Sequence, residues 1–286
     1  MLNPIRIRTD ELLQNQLLDL EKHFNADCVY INGPIGDELV SYARETIDAL
    51  KKDGAARSTL YIFLTTNGGD TITVERLVNV LRHNYKEVNF LIPDHAYSAG
   101  TILCMSGDNI LMDYNAVLGP IDPQVMNKEG RFVPALGYLE KVKDLLEKAE
   151  SNTISEAEFL ILKDFDLAEL SQYEQAKDLT TDLLKEWLVK YKFKNWHKHS
   201  STGKRVTKEE KTQRAEEIAK ELSNYERWKS HGRPLNIETL RGMGLEIDDY
   251  GDNRELQELI LDFHSMCEDY MRLQDTAGFI YSRRTK

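Results

Sequence analysis

LYIFLTTNGGDTITVERLVNVLRHN, residues 60–84, reads as one strand, one turn and one helix. Its first six residues are a nearly continuous apolar run of the kind buried on both faces of a parallel sheet. Asn67, Gly68, Gly69 and Asp70 break the run, and Ile72, Leu77, Val80 and Leu81 then recur as one stripe at helical spacing. The same step flanks this stretch on both sides. Upstream, DCVYI (27–31) stops at Asn32-Gly33-Pro34, and Leu39, Val40, Ala43, Ile47 and Leu50 predict a helix over 36–51. Downstream, VNFLI (88–92) ends at Pro93, HAYSAG (95–100) opens a helix of small residues, and short strands follow at 109–112 and 116–118. Strand and helix alternating over this length predict an α/β fold with a mainly parallel sheet.

From about residue 136 the pattern changes to long helices, expected over 136–150, 155–162, 167–192 and 208–225, with Thr207 and Glu210 forming a capping box at the start of the last. A short helix at 236–243 and an amphipathic one at 253–276 close the chain. The expected organisation is an α/β core over 1–135 and a mostly helical region over 136–286.

The 286 residues carry 48 acidic and 37 basic side chains, a net charge of −11, and 41% hydrophobic with 30% charged residues excludes disorder throughout. No window approaches the run of about 18 apolar residues that spans a bilayer, and MLNPIRIRTDELLQNQ at the start lacks the apolar stretch of a secretory leader. The expectation is a cytoplasmic protein with no membrane contact. Cys28, Cys104 and Cys267 are odd in number and far apart, which leaves neither a disulfide framework nor a CxxC zinc site. The acidic balance opposes wholesale nucleic-acid binding, but residues 185–214 hold ten Lys/Arg against three acids, a local +7, interleaved with Trp187, Tyr191, Phe193, Trp196, His197 and His199. That composition suits a contact for single-stranded nucleic acid or another acidic partner. The other reading is a solvated helix end followed by an exposed loop, with Trp187, Leu188 and Tyr191 turned into the core. His197-x-His199 is a weak zinc signal without a third ligand in spacing, so no metal and no cofactor are expected.

Four features across 66–124 carry the chemistry: Gly68-Gly69 after one strand, an intervening helix, Tyr97-Ser98-Ala99-Gly100 after the next strand, and GPIDPQ at 119–124. Adjacent parallel strands put their C-terminal loops on one edge, where α/β sheets bind ligands. Acyl transfer needs a nucleophile and backbone N–H groups aimed at the oxygen that becomes negative. Ser98 at a helix N-terminus supplies the first, and Gly68, Gly69 and Ala99 are candidate oxyanion donors. Taken singly, Ser98 also reads as a helix N-cap and the glycines as a tight turn. The Ala-x-Ser-x-Gly here departs from the Gly-x-Ser-x-Gly elbow of α/β-hydrolases.

TTNGGD (65–70), AYSAGTILCMSGDNILM (96–112) and LGPIDPQ (118–124) together resemble the serine dehydrogenase proteinase family, a branch of the clan that holds the Clp protease proteolytic subunit and signal peptide peptidase A. TGK at 202–204, AEEIA at 215–219 and HGRPL at 231–235 are similar to its downstream part. The resemblance implies the Clp/crotonase-like spiral of β-β-α units, Ser98 as nucleophile, an oxyanion hole at the strand-end glycines and the residue after the serine, a peptide or protein substrate, and a homo-oligomer. In the Clp branch a histidine follows the serine where this chain reads LGPIDPQ, so Asp122 occupies its place and a Clp-ordered triad is not expected. An aspartate there is a poor base near neutral pH unless burial raises its pKa. In the signal-peptide-peptidase branch a lysine from a later helix activates the serine; Lys141 is the preferred equivalent, with Lys143 beside it. His95, and His231 reaching over from the helical part, are the other candidate bases.

The leading expectation is therefore a serine peptidase with catalytic residues Ser98, Lys141 and Asp122. A crotonase-like acyl-thioester enzyme would use the same oxyanion geometry but needs a coenzyme-binding surface. A catalytically inactive scaffold would use the fold for assembly and the basic stretch for a protein or nucleic-acid partner.

Overall fold

The computed structural model describes residues 4–126, 130, 132–199 and 202–285. In chain order the elements are α1 (Pro4–Phe24), β1 (Asp27–Asn32), α2 (Asp37–Lys51), β2 (Thr59–Thr65), α3 (Thr71–Asn84), β3 (Glu87–Leu91), β4 (His95–Ala96), α4 (Ala99–Met105), β5 (Asn109–Met112), β6 (Val117–Leu118) and the hairpin β7 (Gln124–Met126) and β8 (Phe132–Pro134). The helical part follows as α5 (Ala135–Glu150), α6 (Glu156–Lys163), α7 (Leu167–Trp187), α8 (Lys208–Leu222), α9 (Tyr225–Trp228) and α10 (Ile237–Gly242). Strand β9 (Asp248–Asp249), α11 (Arg254–Gln274) and β10 (Phe279–Ser282) complete it.

Six strands form the main sheet in the order β10-β1-β2-β3-β5-β9, all parallel to their neighbours except β10, which runs antiparallel to β1. The apolar run of β2 explains why the sheet is covered on both sides. Successive strand residues point to opposite faces, so Leu60, Ile62 and Leu64 enter a larger core with α2, α3 and α4 while Phe63 enters a smaller one under α1 and α11. Strand β1 divides in the same way, Val29 and Ile31 against Cys28 and Tyr30, as does β5, with Ile110 and Met112 opposite Leu111. Each fully buried aromatic or branched side chain in these faces contributes roughly 1.5–3 kcal/mol. Asp70 caps α3 by accepting from the Thr73 amide and hydroxyl, each at 2.7 Å, which fixes where the Gly-Gly turn ends and the helix begins.

The larger core also takes Leu183, Leu184 and Trp187 from α7 and Ala215, Ile218, Ala219 and Leu222 from α8. Helix α8 starts at the expected capping box of Thr207 and Glu210. Helix α7 ends five residues earlier than the periodicity predicts and continues as a π-helical turn over Leu188–Lys192. Phe279, Ile280 and Tyr281 lie in the edge strand β10 beside β1.

A second, minor set of pairings lies past the C-terminal ends of the main strands. Strands β4 and β6 pair in parallel, Thr66 bridges Ala96, Ile35 bridges Gly69, and Leu118 bridges Leu235 in antiparallel sense. These short ties hold the loops that carry the candidate chemistry.

Candidate active site

Ser98 stands between β4 and α4 with φ 55° and ψ −118°, and its hydroxyl does not cap the helix that follows. A non-glycine residue in this region stores about 1–3 kcal/mol of strain and persists only where its surroundings impose it. The imposing contacts are a tight turn closed by the Gly100 amide on the Tyr97 carbonyl at 2.8 Å and the Gly68 backbone packed behind the serine. A strained serine on a strand-to-helix turn is the conformation of a nucleophile elbow, which pushes the side chain out of the chain's own hydrogen bonding. Despite the Ala-x-Ser-x-Gly sequence, the backbone takes that shape.

The Gly-Gly turn is held hard against Ser98. A Cβ on Gly68, where φ is 103°, would lie 2.8 Å from Ser98 Cβ, and one on Gly69, where φ is 153°, would lie 2.1 Å from the Ile35 carbonyl oxygen. Both positions need glycine for conformation and for space. The Gly68 amide donates to Thr66 Oγ1 at 3.0 Å, the Ile35 amide to the Gly68 carbonyl at 2.9 Å, and the Asp70 amide to the Ile35 carbonyl at 3.0 Å. Among the described residues the Gly69 amide makes no hydrogen bond. The Ala99 amide is the first of α4, where helical N–H groups lack intrahelical partners.

Asp122 is 2% exposed and bonds two side chains: Gln124 Nε2 donates to Oδ2 at 2.7 Å, and His231 Nδ1 lies 2.9 Å from Oδ1. The histidine arrives from 109 residues away, and the minor pairings explain how. Strands β4 and β6 are parallel, so Ser98, two residues past Ala96, and Asp122, four past Leu118, leave at the same end. Leu235 runs antiparallel to Leu118, with amide-to-carbonyl bonds of 3.0 and 2.9 Å, which returns His231, four residues earlier, to that end. In the tautomer whose Nδ1–H donates to Asp122 Oδ1, Nε2 is the ring nitrogen that carries the lone pair. Among the described residues the Ser98 hydroxyl has no hydrogen-bond partner. Catalytic hydrogen bonds are often open until substrate binds.

The other candidate bases are placed differently. Lys141 lies on α5 with its side chain 54% exposed and its ammonium 3.2 Å from Asp144, an open ion pair rather than the desolvated position a lysine base requires. Lys143 is paired with Glu147 at 3.8 Å. His95 turns its Nδ1 to Asp94 at 2.9 Å and stacks its ring on Tyr97. Within 185–214, Trp187, Leu188 and Phe193 are buried, Lys185, Lys190, Lys194 and Arg214 form ion pairs, and Lys211 donates to the Phe193 carbonyl.

A family model described as ClpP-like SDH-type serine proteinase matches residues 46–210, more than half of the chain. Two uncharacterised proteins of Methanocaldococcus jannaschii, MJ1495 and MJ0137, are each 29% identical over 187 and 191 residues, covering 65% of this chain. These stretches are 51% and 52% of the two relatives, so the chain spans about half the length of the curated relatives it matches. Among solved structures, two variants of the 1510-N membrane-bound stomatin-specific protease, one in complex with a substrate peptide, align with a TM-score of 0.47 at 14% and 15% identity. The alignments cover 80% and 79% of this chain and 81% and 75% of those. Among the described residues, no helix is long and apolar enough to cross a membrane. The architecture is the Clp-like α/β fold.

Proposed function

We propose that this chain, which belongs to the ClpP-like SDH-type serine proteinase family, is a serine peptidase working through Ser98, His231 and Asp122. The observation that carries the reading is the 2.9 Å pair of His231 with buried Asp122, delivered to the end of the minor sheet where strained Ser98 stands. Ser98 Oγ attacks the scissile carbonyl while His231 Nε2 takes its proton; the imidazolium that forms is stabilised by Asp122 and then protonates the leaving amine. Water, deprotonated by the same nitrogen, hydrolyses the acyl-enzyme. The oxyanion is received by the Gly69 and Ala99 amides, since the Gly68 amide is already committed to Thr66. The order serine, aspartate, histidine along the chain differs from the Clp order, which is why the stretch after Ser98 holds an aspartate where a histidine would be sought. Three free cysteines, all buried, suit a reducing compartment and support a cytoplasmic location.

A fluorophosphonate probe tests the nucleophile. Folded protein is expected to label at Ser98 alone, with heat-denatured protein unlabelled. Labelling at a different serine, or none under conditions that label a control serine hydrolase, would remove Ser98 from the mechanism.

A further inference from the structure

Outside the proposed triad, three groups that ligate metals converge at the β3–β4 loop, four residues before Ser98 in the chain. Asp94 follows β3, and His264 and Glu268 stand one turn apart on α11, the i,i+4 spacing that puts two side chains on one helix face. One ligand atom from each lies within 4.8 Å of the others. We propose that Asp94, His264 and Glu268 bind a divalent first-row transition ion, Zn²⁺ in the first instance, and that the ion ties α11 to the β3–β4 loop.

Each of the three groups is anchored through one atom and leaves another free. His264 is 7% exposed, and its Nδ1 lies 2.9 Å from the hydroxyl of Tyr30, which is fully buried and also receives Asn32 Nδ2 at 3.1 Å. With Nδ1 as donor to that hydroxyl oxygen, Nε2 is the ligating nitrogen. It faces Glu268 Oε1 at 3.8 Å, beyond hydrogen-bond range. Glu268 accepts from Arg272 Nη2 at its other oxygen, Oε2, at 3.1 Å, and Asp94 Oδ2 lies 2.9 Å from His95 Nδ1. A ligating histidine oriented through its second nitrogen, with its partner carboxylates also held, is the usual outer support of a metal site.

The donor set of one imidazole and two carboxylates matches the three-ligand zinc pattern more closely than the all-oxygen sets of Ca²⁺ or Mg²⁺. Ligands about 2.0–2.2 Å from zinc stand closer together than the upper bound seen here, so closure requires side-chain movements on the order of 1 Å. Asp94 and Glu268 are partly exposed, which leaves a path from solvent. The proposal does not depend on the peptidase reading, because its test measures binding.

The test is calorimetric titration of ZnCl₂ into the full chain after chelator treatment, with Co²⁺ absorption as the geometric readout. The expected result is one ion per chain, with affinity lowered at least about a hundredfold in both Glu268→Gln and His264→Gln. His199→Ala, which removes a surface imidazole paired with Glu210, is expected to bind like the parent. Zinc is also expected to raise the unfolding temperature of the parent and not of the two ligand variants. Far-UV circular dichroism confirms that the variants are folded; a variant that is not is replaced by Asp94→Asn. No saturable binding, or equal binding by parent and ligand variants, would overturn the site.

Discussion

Replacing Asp122 with asparagine should lower the turnover of a peptide substrate about ten-thousandfold while leaving the fold in place. The amide is isosteric with the carboxylate and keeps an oxygen for Gln124, so packing at this buried position is preserved. What changes is the proton. An amide NH₂ turned to Nδ1 makes that nitrogen an acceptor, which moves the hydrogen to Nε2 and removes the base that Ser98 requires. His231→Ala removes the base outright and should cost a similar factor. The double variant should cost little more than either single one, because residues acting as one unit are not additive. Lys141→Ala is expected to stay within a few-fold of the parent, since the Lys141 ammonium sits in an exposed pair with Asp144. The checks are kcat on a fluorogenic peptide and, independently of substrate choice, the rate of fluorophosphonate labelling. Loss of both in Lys141→Ala with His231→Ala still active would replace the triad with a serine–lysine dyad.

The elements legible in the sequence are those whose signal is local. LYIFLT announces a strand buried on both faces because its alternate residues enter two different cores, and Gly68-Gly69 and Ser98 stand out because each ends such a strand. Asp122 was visible from its motif. His231 stands among the candidate bases, but its pairing with Asp122 is not legible in the sequence, because the tie between Leu118 and Leu235 that brings it back is a single two-bond bridge with no periodicity of its own. Helix α1 is mostly polar, and among its described side chains Leu13, Leu17 and Leu20 are the apolar ones that are buried. Strand β9 is two aspartates, a composition that opposes strand formation, held by pairing with Leu111 and Met112. The chemistry of Asp94, His264 and Glu268 is equally hidden, since the first two are 170 positions apart and the packing of α11 on the sheet joins them.

Arg283→Met should destabilise the protein by about 3–5 kcal/mol, the cost of leaving buried charges without their partner. Arg283 follows β10, is 6% side-chain exposed, and reaches Glu21 at 2.5 Å and Asp27 at 2.9 Å through one nitrogen and Asp53 at 3.0 Å through Nε. Glu21 closes α1, Asp27 opens β1 and Asp53 follows α2, so one guanidinium joins the two ends of the chain to the start of the sheet. Glu21 and Asp27 are 2% and 0% exposed. Among the described residues, the ion-pair partner left to them without Arg283 is Arg57, at 3.5 and 3.9 Å and itself 30% exposed. The carboxylates also hold backbone: Glu21 accepts from the Cys28 amide, and Asp27 from the Arg57 amide and the Tyr85 hydroxyl. They therefore cannot swing out to water without breaking the start of β1. Arg283→Lys should fall between parent and Met, because a single ammonium cannot reproduce the fork that serves three carboxylates. Combining Arg283→Met with Asp27→Asn should recover part of the loss, since the charge left unpaired is then removed and the amide still accepts from the Tyr85 hydroxyl. Urea unfolding checks this through the midpoint at constant slope. A midpoint unchanged in Arg283→Met would mean that the cluster is hydrated and that the two termini are held by the apolar packing of α1 on α11 alone.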